Sequence, residues 1–164
     1  MNEESRPFSI AAFGLGLMLT LMAAEGTLSA ALRFESRVLQ EVNDVRGERH
    51  LVRLKSSAEG EAVARQHAEH MARSGFFDHI NPQGQNPLDR VQQAGIRGFR
   101  LLAENIGSTS ESGDRVQTLV NAWMNSPVHR ENVLNPAFNT TGIGTAQSPS
   151  GDIIVVQLFL AVRP

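Results

Sequence analysis

The sequence predicts an α+β protein in which a sheet is sandwiched between helices. Two observations lead to this fold class. Apolar residues recur at helical spacing between Phe34 and Asn125, whereas β-branched residues dominate residues 139 to 162. The last segment, Asp152 to Val162, is apolar on both of its faces, as expected of a strand that is covered on both sides.

Composition narrows the class of protein further. The chain has 164 residues, a formal net charge of −2 and no cysteine. Setting residues 1–31 aside removes Arg6 from the 15 basic residues and Glu3, Glu4 and Glu25 from the 17 acidic ones, which leaves equal numbers. We therefore expect no nucleic-acid partner, no disulfide framework and no thiolate metal site or cysteine nucleophile. Any bound metal would need histidine and carboxylate ligands.

The N-terminus predicts export. Arg6 precedes an uncharged stretch from Pro7 to Ala24, and small residues follow around Ser29–Ala31, in the order typical of a secretory signal. Residues 1–31 are thus predicted to be a signal peptide or an uncleaved signal anchor, and residues 32–164 to be one domain. The expected location is secreted or periplasmic, with membrane attachment only if the N-terminal segment stays uncleaved.

Four helices are predicted in the N-terminal part. The first carries Phe34, Val38 and Val42 and ends near Gly47; the second begins at a capping-box pair, Ser56 and Glu59, and ends at Gly75. The third opens at Asn86–Pro87, with Leu88 and Val91 inward, and ends near Gly95. The fourth runs from about Asp114 to Asn125, with Trp123 on its apolar stripe and Pro127 just beyond it.

A β-hairpin is predicted at the C-terminus. Residues 139 to 146 and 152 to 162 form its strands, and Ser148–Gly151 between them has Pro and Gly where a type I turn favours them. Gln157 interrupts the apolar second strand, and the sequence leaves open whether it faces a cleft or satisfies a backbone group.

Three segments between the helices carry polar residues in apolar surroundings. They are Phe76–Pro82 with His79, Ala103–Gly107 with Glu104, and Ser126–Asn132 with His129. A separate pair, His67 and His70, has the i, i+3 spacing of a metal pair, but His67 falls on the apolar stripe of the second helix, so core packing is the better interpretation.

Taken in order, these segments resemble the motifs of the bacterial CAP (SCP-like) domain, whose superfamily also contains cysteine-rich secretory proteins, antigen 5 and plant pathogenesis-related proteins. The resemblance covers roughly Val38 to Val162. The motifs that carry it are His67–Ala72, Gly75–His79, Asp89–Gly95, Ala103–Gly107, Trp123–Pro136 and Thr141–Gly144. It implies a three-layer α-β-α sandwich with a central cleft that is lined by two histidines and two acidic residues and can bind divalent metal.

Carried over residue by residue, the resemblance assigns this cleft to His79, Glu104 and His129. Ser126 stands at the fourth position, where many eukaryotic members have Glu. Two imidazoles and one carboxylate match the ligand set of an open zinc site, so Zn²⁺ is the expected metal. Without metal, Glu104 should raise the pKa of both histidines. Ser126 is expected to orient an imidazole or bind water rather than to act as a nucleophile.

These residues favour a binding or interaction module whose ligand is an unidentified small molecule, lipid or protein. The alternatives are a metal-dependent hydrolase that uses Glu104 as general base, and a structural protein anchored at the cell envelope. The missing second acidic residue favours binding over catalysis.

Overall fold

The computed structural model describes residues 11–110 and 113–163, and these residues form five helices and four strands in the order α1-β1-α2-α3-β2-α4-α5-β3-β4. The helices are α1 (Ala11–Gly47), α2 (Ala58–Ser74), α3 (Pro87–Gln93), α4 (Arg115–Asn125) and α5 (Pro127–Leu134). The strands are β1 (Lys55–Ser56), β2 (Phe99–Thr109), β3 (Thr140–Gln147) and β4 (Ile153–Val162). The chain forms two compact units, one ending at Arg33 and one beginning at Phe34.

The structure describes only part of the predicted N-terminal targeting segment. The first ten residues of the predicted targeting segment lie outside the described residues, and its cleavage stays a prediction. Within the part of the chain that is described, no helix combines the length and the apolar character needed to cross a membrane.

The second unit has three layers, which confirms the predicted α-β-α sandwich. Its sheet has the strand order β1-β3-β4-β2, with β1 parallel to β3 and the other pairs antiparallel. On one face, α1, α4 and α5 pack on a core that includes Val38, Trp123 and Phe159. On the other face, α2 and α3 pack on a core that includes Met71, Val91 and Leu158. The predicted hairpin is β3 and β4.

Glycines permit the close approach of α2 to β3. A Cβ atom at Gly142 would lie 2.0 Å from the carbonyl carbon of Gly60, and one at Gly144 would lie 2.0 Å from the backbone nitrogen of Arg65. No side chain fits at either position, so the helix backbone rests directly on the strand. The Thr141–Gly144 motif is therefore a packing device.

Several local predictions need correction. Helix α2 is capped by Ser57, whose hydroxyl accepts from the backbone of Gly60, while Ser56 lies in β1. In α3 the buried residues are Arg90 and Val91, and Leu88 is exposed. Strand β2 and helix α5 were expected as irregular segments between helices. Both carry buried or half-buried polar residues whose partners lie far away in the sequence, so their local patterns do not reveal them.

A buried arginine joins α1 to the segment before β3. Arg46 is fully buried and donates to the carbonyls of Val52, Val133, Asn135 and Phe138 at 3.0, 2.7, 3.1 and 2.9 Å. Burial lowers its pKa. One side chain thus donates hydrogen bonds to four carbonyls.

Candidate functional site

Glu104 lies on β2, an edge strand of the sheet, and points to the face covered by α2 and α3. Its side chain is only 1% exposed, and both carboxylate oxygens are hydrogen-bonded. The Nδ1 atom of His79 lies 2.8 Å from one oxygen, and a guanidinium nitrogen of Arg90 donates to the other at 2.7 Å. Arg90 also donates to the backbone carbonyl of His79 at 2.8 Å. Two adjacent elements, the loop before α3 and α3 itself, are therefore held on this carboxylate.

This contact sets the protonation of His79. The hydrogen bond to Glu104 raises the pKa of His79, against the opposing effect of burial. Because a carboxylate only accepts, Nδ1 carries the proton and Nε2 is left for a ligand. The side chain of His79 is 43% exposed, so this imidazole is oriented from within and accessible from outside.

Asn105, the next residue on β2, points to the opposite face of the sheet and fixes α5. Its side chain is buried, donates to the backbone carbonyl of His129 at 3.1 Å and accepts from Asn132 at 2.8 Å. Two consecutive residues of one edge strand thus position the two histidines from opposite faces. We call His79, Glu104 and His129 the histidine site.

Gly107 and Trp123 hold α4 against the same strand. The indole nitrogen of Trp123 donates to the carbonyl of Ile106 at 3.1 Å. A Cβ atom at Gly107 would lie 2.4 Å from a methyl carbon of Leu119 and 3.1 Å from the indole nitrogen. The Ala103–Gly107 motif therefore combines site residues with the packing that fixes them.

The pKa of His129 shifts in the direction opposite to the one predicted. It is half-buried near the start of α5, and its pKa is lowered, first by burial and then by the charge of His79. The prediction that Glu104 raises the pKa of both histidines is therefore wrong for His129. Of the two imidazoles, only that of His79 hydrogen-bonds to the carboxylate, and the charge of His79 disfavours a second positive charge on His129.

Ser126 ends α4 and stands at the N-cap of α5, where its side chain makes no capping hydrogen bond. Within the described residues, no imidazole hydrogen-bonds to its hydroxyl. Its backbone nitrogen donates to Ala122 and Trp123 instead. The structure thus joins His79 and Glu104 by direct contact, links His129 to them only through the electrostatic effect of His79, and places Ser126 at the α4–α5 junction, three residues before His129.

The donor set of the histidine site differs from the predicted three-ligand metal centre. Among the described residues, no group of three or more His, Asp or Glu is arranged to hold a metal ion. Glu104 is occupied by Arg90 and His79, which is the arrangement of a carboxylate that orients a metal-binding histidine from behind. The nitrogen donors that fit a cation such as Zn²⁺ are the imidazoles of His79 and His129.

His67 is a core residue, as predicted. It is buried, its Nε2 atom lies 2.9 Å from the carbonyl oxygen of Asp78, and its ring and that of His70 pack against Phe76. Burial and the Arg90 charge lower its pKa. The sequence left open whether Gln157 faces a cleft or satisfies a backbone group. The structure shows a third arrangement, in which Gln157 is fully buried and donates to the hydroxyl of Thr141 at 3.1 Å.

The sequence reasoning missed Arg90, Asn105 and Asn132 as parts of the site. Arg90 directly precedes the buried Val91 in a short helix. A charged residue next to the inward-facing side of that helix was the one sequence feature that could have indicated its burial. The two asparagines had no signal of their own, because their partners come from distant segments.

Comparison with known proteins agrees with this architecture. The chain is 32% identical over 131 residues to the uncharacterized protein YkwD of Bacillus subtilis, and this match covers 80% of the chain and 48% of YkwD. It is 24% identical to the uncharacterized membrane protein YlbC of the same organism, covering 86% of the chain and 40% of YlbC. The chain thus spans less than half the length of these curated relatives.

Solved structures show the same fold. An outer surface protein from Borrelia burgdorferi superposes with a TM-score of 0.71 at 24% identity, covering 80% of this chain and 94% of that one. An extracellular protein containing a SCP domain from Bacillus anthracis superposes with a TM-score of 0.69 at 27% identity, covering 79% of this chain and 41% of that one.

The three-layer sandwich is the fold of the SCP-domain structure from Bacillus anthracis, which points to a CAP-type domain. A sequence model described as the cysteine-rich secretory protein family (CAP) matches residues 39–159, and the chain belongs to this family. The match confirms the resemblance drawn from the motifs. It also shows that the family fold stands here without any cysteine.

Proposed function

We propose that this domain is an exported binding module whose histidine site holds a ligand without turning it over. One observation carries the proposal: both oxygens of Glu104 are hydrogen-bonded and the side chain is almost fully buried. A general base must reach the proton that it removes. Glu104 has no free oxygen for that task, so it acts as a positioning residue for His79.

The proposed metal is a divalent cation such as Zn²⁺, bound through the imidazoles of His79 and His129. When bound, the cation would supply a Lewis-acidic point to which a ligand oxygen or nitrogen attaches. The protein orients His79 through Glu104 and the backbone of His129 through Asn105. Water or the ligand itself would complete the coordination shell, since no third His, Asp or Glu among the described residues is grouped with these two imidazoles.

The ligand is proposed to carry an apolar portion. The large apolar side chains Phe77, Ile80 and Val128 flank the two histidines in sequence, and all three are exposed. Exposed apolar residues beside a polar site favour an amphipathic ligand. A lipid or an apolar peptide segment fits this chemistry better than a small polar metabolite.

An extracytoplasmic location supports the proposal. The structures that share this fold include an extracellular protein and an outer surface protein, and residues 1–31 have the order of a secretory signal. Mass spectrometry of the protein purified from its native host would test this, because an intact Met1 on membrane-bound material would contradict cleavage.

A zinc titration tests the proposed site. We expect calorimetry to show binding to the parent protein and none to the double variant His79→Ala, His129→Ala. His50→Asn is the matched control, since His50 is exposed and has a positive φ that Asn tolerates. Equal binding by the parent and the double variant would refute a metal at the histidine site.

An activity screen tests the absence of turnover. Peptides and esters are incubated with the zinc-loaded protein, and its Glu104→Gln variant is run beside it. We expect no hydrolysis by either protein. Chelator-sensitive hydrolysis that disappears in Glu104→Gln would support the hydrolase alternative instead.

A further inference from the structure

A groove runs along the outer edge of β2, beside the start of α3. It measures ≈ 360 Å³ and is lined by the consecutive β2 residues Phe99–Glu104 and by Asn86–Leu88. Successive side chains of a strand point to opposite faces of the sheet, so a groove over one face would contact every second residue. A groove lined by consecutive residues therefore follows an edge. Among the described strands β2 pairs only with β4, which leaves the outer edge of β2 beside the groove.

Every second residue of β2 directs its peptide groups toward this outer edge. Two side chains identify which residues these are. The indole of Trp123 donates to the carbonyl of Ile106 at 3.1 Å, and the amide of Asn132 donates to the carbonyl of Glu104 at 3.5 Å. Leu102 is the next residue in this alternation, and its register with β4 is continuous with theirs. The N–H and C=O of Leu102 therefore point away from β4.

The hydrogen bonds of β3 give the same alternation independently. The carbonyl of Thr141 accepts from Ser57 and the N–H of Thr145 donates to Glu35, so the odd-numbered residues of β3 bond away from β4. They face odd-numbered residues of β4, which must then bond to β2. Those residues pair with odd-numbered residues of β2, so the even-numbered residues of β2 face outward.

Protection of this edge stops before Leu102. Side chains of α4 and α5 cover the carbonyls of Ile106 and Glu104, and such covering is one way in which proteins keep a strand edge from pairing. Among the described residues, no hydrogen bond from outside the sheet reaches the N–H or C=O of Leu102, which is half-buried. One donor and one acceptor of the β2 main chain are thus left for a further strand.

The side chains along the groove indicate what kind of segment fits. Leu88 and Leu101 line it and are exposed. The charged residues in the lining are Arg100 and Glu104, and the carboxylate of Glu104 is already paired with Arg90 at 2.7 Å. Arg100 is exposed. The groove is therefore largely apolar and carries a net positive charge, which suits a segment with apolar and acidic side chains.

We propose that the β2 edge at Leu102 binds an extended peptide segment of another protein, which adds a strand to the sheet. Main-chain hydrogen bonds to Leu102 supply affinity, and alternate side chains supply specificity. Apolar residues of the segment contact Leu88 and Leu101, and a carboxylate pairs with Arg100. A second copy of this chain fits less well, because its own β2 edge carries the same positive charge.

The test is NMR of the full 164-residue chain titrated with acetylated peptide amides X-Glu-X-Glu-X, where X is Val, Ile, Leu or Phe. The same peptides with Lys in place of Glu are the charge-reversed probes. We expect at least one Glu peptide to slow hydrogen exchange of the Leu102 amide, while the Ala103 amide, which bonds to β4, stays unchanged. Arg100→Glu should weaken this binding about fivefold, because repulsion replaces a surface ion pair. Arg49→Glu is the matched control, since Arg49 is exposed and does not line the groove.

Binding that leaves the Leu102 amide unprotected, or no binding of any Glu peptide at millimolar concentration, would overturn the proposal. So would equal binding of the Lys peptides, or dimerisation without peptide that protects the same amide.

This peptide site goes beyond the proposed function, and neither His79 nor His129 lines the groove. The His79→Ala, His129→Ala variant should therefore bind the Glu peptides like the parent, whether or not the histidine site holds metal. Loss of peptide binding in that variant would assign the peptides to the histidine site and contradict a separate site at Leu102.

Discussion

Glu104 and Arg90 form the pair on which the histidine site depends. Arg90 is 7% exposed in its side chain and Glu104 is 1% exposed, with 2.7 Å between their charged groups. A buried ion pair contributes little net stability, yet removing one partner leaves an uncompensated charge. The two residues are therefore tightly interdependent, although the pair as a whole adds little net stability.

We predict that Glu104→Gln lowers the free energy of unfolding by about 3 kcal/mol, because Arg90 is left buried without its counter-charge. Urea denaturation measures this change. Glu131→Gln, an exposed position on α5, serves as the control and should unfold like the parent. A loss of less than about 1 kcal/mol, the range of surface pairs, would contradict the buried pairing.

Glu104→Gln should also change the titration of His79. The folded-state pKa of His79 is raised by Glu104, so its contribution to stability is present below the unfolded value of about 6.5 and is lost as pH rises through the folded value. In the variant, NMR should show the His79 pKa falling toward its ordinary value. An unchanged His79 titration would mean that Glu104 does not hold this ring.

His67 should show the opposite pH dependence. Its folded-state pKa is lowered by burial, so its contribution is present above about pH 6.5 and is lost as pH falls through the folded value. We expect acid unfolding of the parent to become less steep in His67→Gln, measured by urea midpoints at several pH values. His50→Asn, at an exposed position, should retain the parental slope; an unchanged slope in His67→Gln would contradict the buried neutral ring.

At the scale of elements, β2 is the strand that organises the site. Its neighbours Glu104 and Asn105 reach opposite faces of the sheet, and Gly107 admits Trp123 from α4. The helix α2 in turn lies directly on β3 at Gly142 and Gly144. Element positions are thus set by glycines and by buried polar contacts as well as by apolar packing.

We predict that Gly144→Ala lowers the free energy of unfolding by at least about 3 kcal/mol, at or beyond the upper end of ordinary overpacking, because the new methyl group would meet the α2 backbone. The control is Gly47→Ala at the end of α1, where a Cβ atom meets nothing within 4 Å. Thermal denaturation compares the two. Similar melting temperatures for the two variants would contradict the direct contact of helix and strand.

Arg46 offers a second test at this scale. Its four carbonyl contacts join α1 to the segment that leads from α5 into β3. We expect Arg46→Lys to cost about 2 kcal/mol or more, since a single ammonium cannot reproduce the guanidinium geometry. Arg49→Lys, a more exposed neighbour, should be close to neutral in the same urea assay.

For the molecule as a whole, the sequence was sufficient to predict the three layers but not the hydrogen bonds within the site. Helices α2, α3 and α4 and the β3–β4 hairpin follow from capping residues, glycine stops and apolar periodicity. Strand β2 escaped prediction because Glu104 and Asn105 interrupt its apolar pattern. Their burial is possible only because Arg90, His79 and Asn132 come from elsewhere in the chain.

The positions of His79, Glu104 and His129 came from the family resemblance and not from spacing. Nothing local in the sequence shows that Glu104 faces Arg90, so the sequence predicts a metal ligand at a position where the structure has a carboxylate hydrogen-bonded through both oxygens. The fold orients the ring of His79 through Glu104 and fixes the backbone of His129 through Asn105, which suits a preorganised binding site.

In the proposed site, Glu104 orients His79 while the two imidazoles contact the ligand. Long-range ¹H–¹⁵N NMR of the histidine side chains during a zinc titration tests it most directly. We predict that Nε2 of His79 and one ring nitrogen of His129 shift on metal binding, while Nδ1 of His79 keeps its proton toward Glu104. Metal attachment at Nδ1 of His79, or shifts confined to other histidines, would contradict the account.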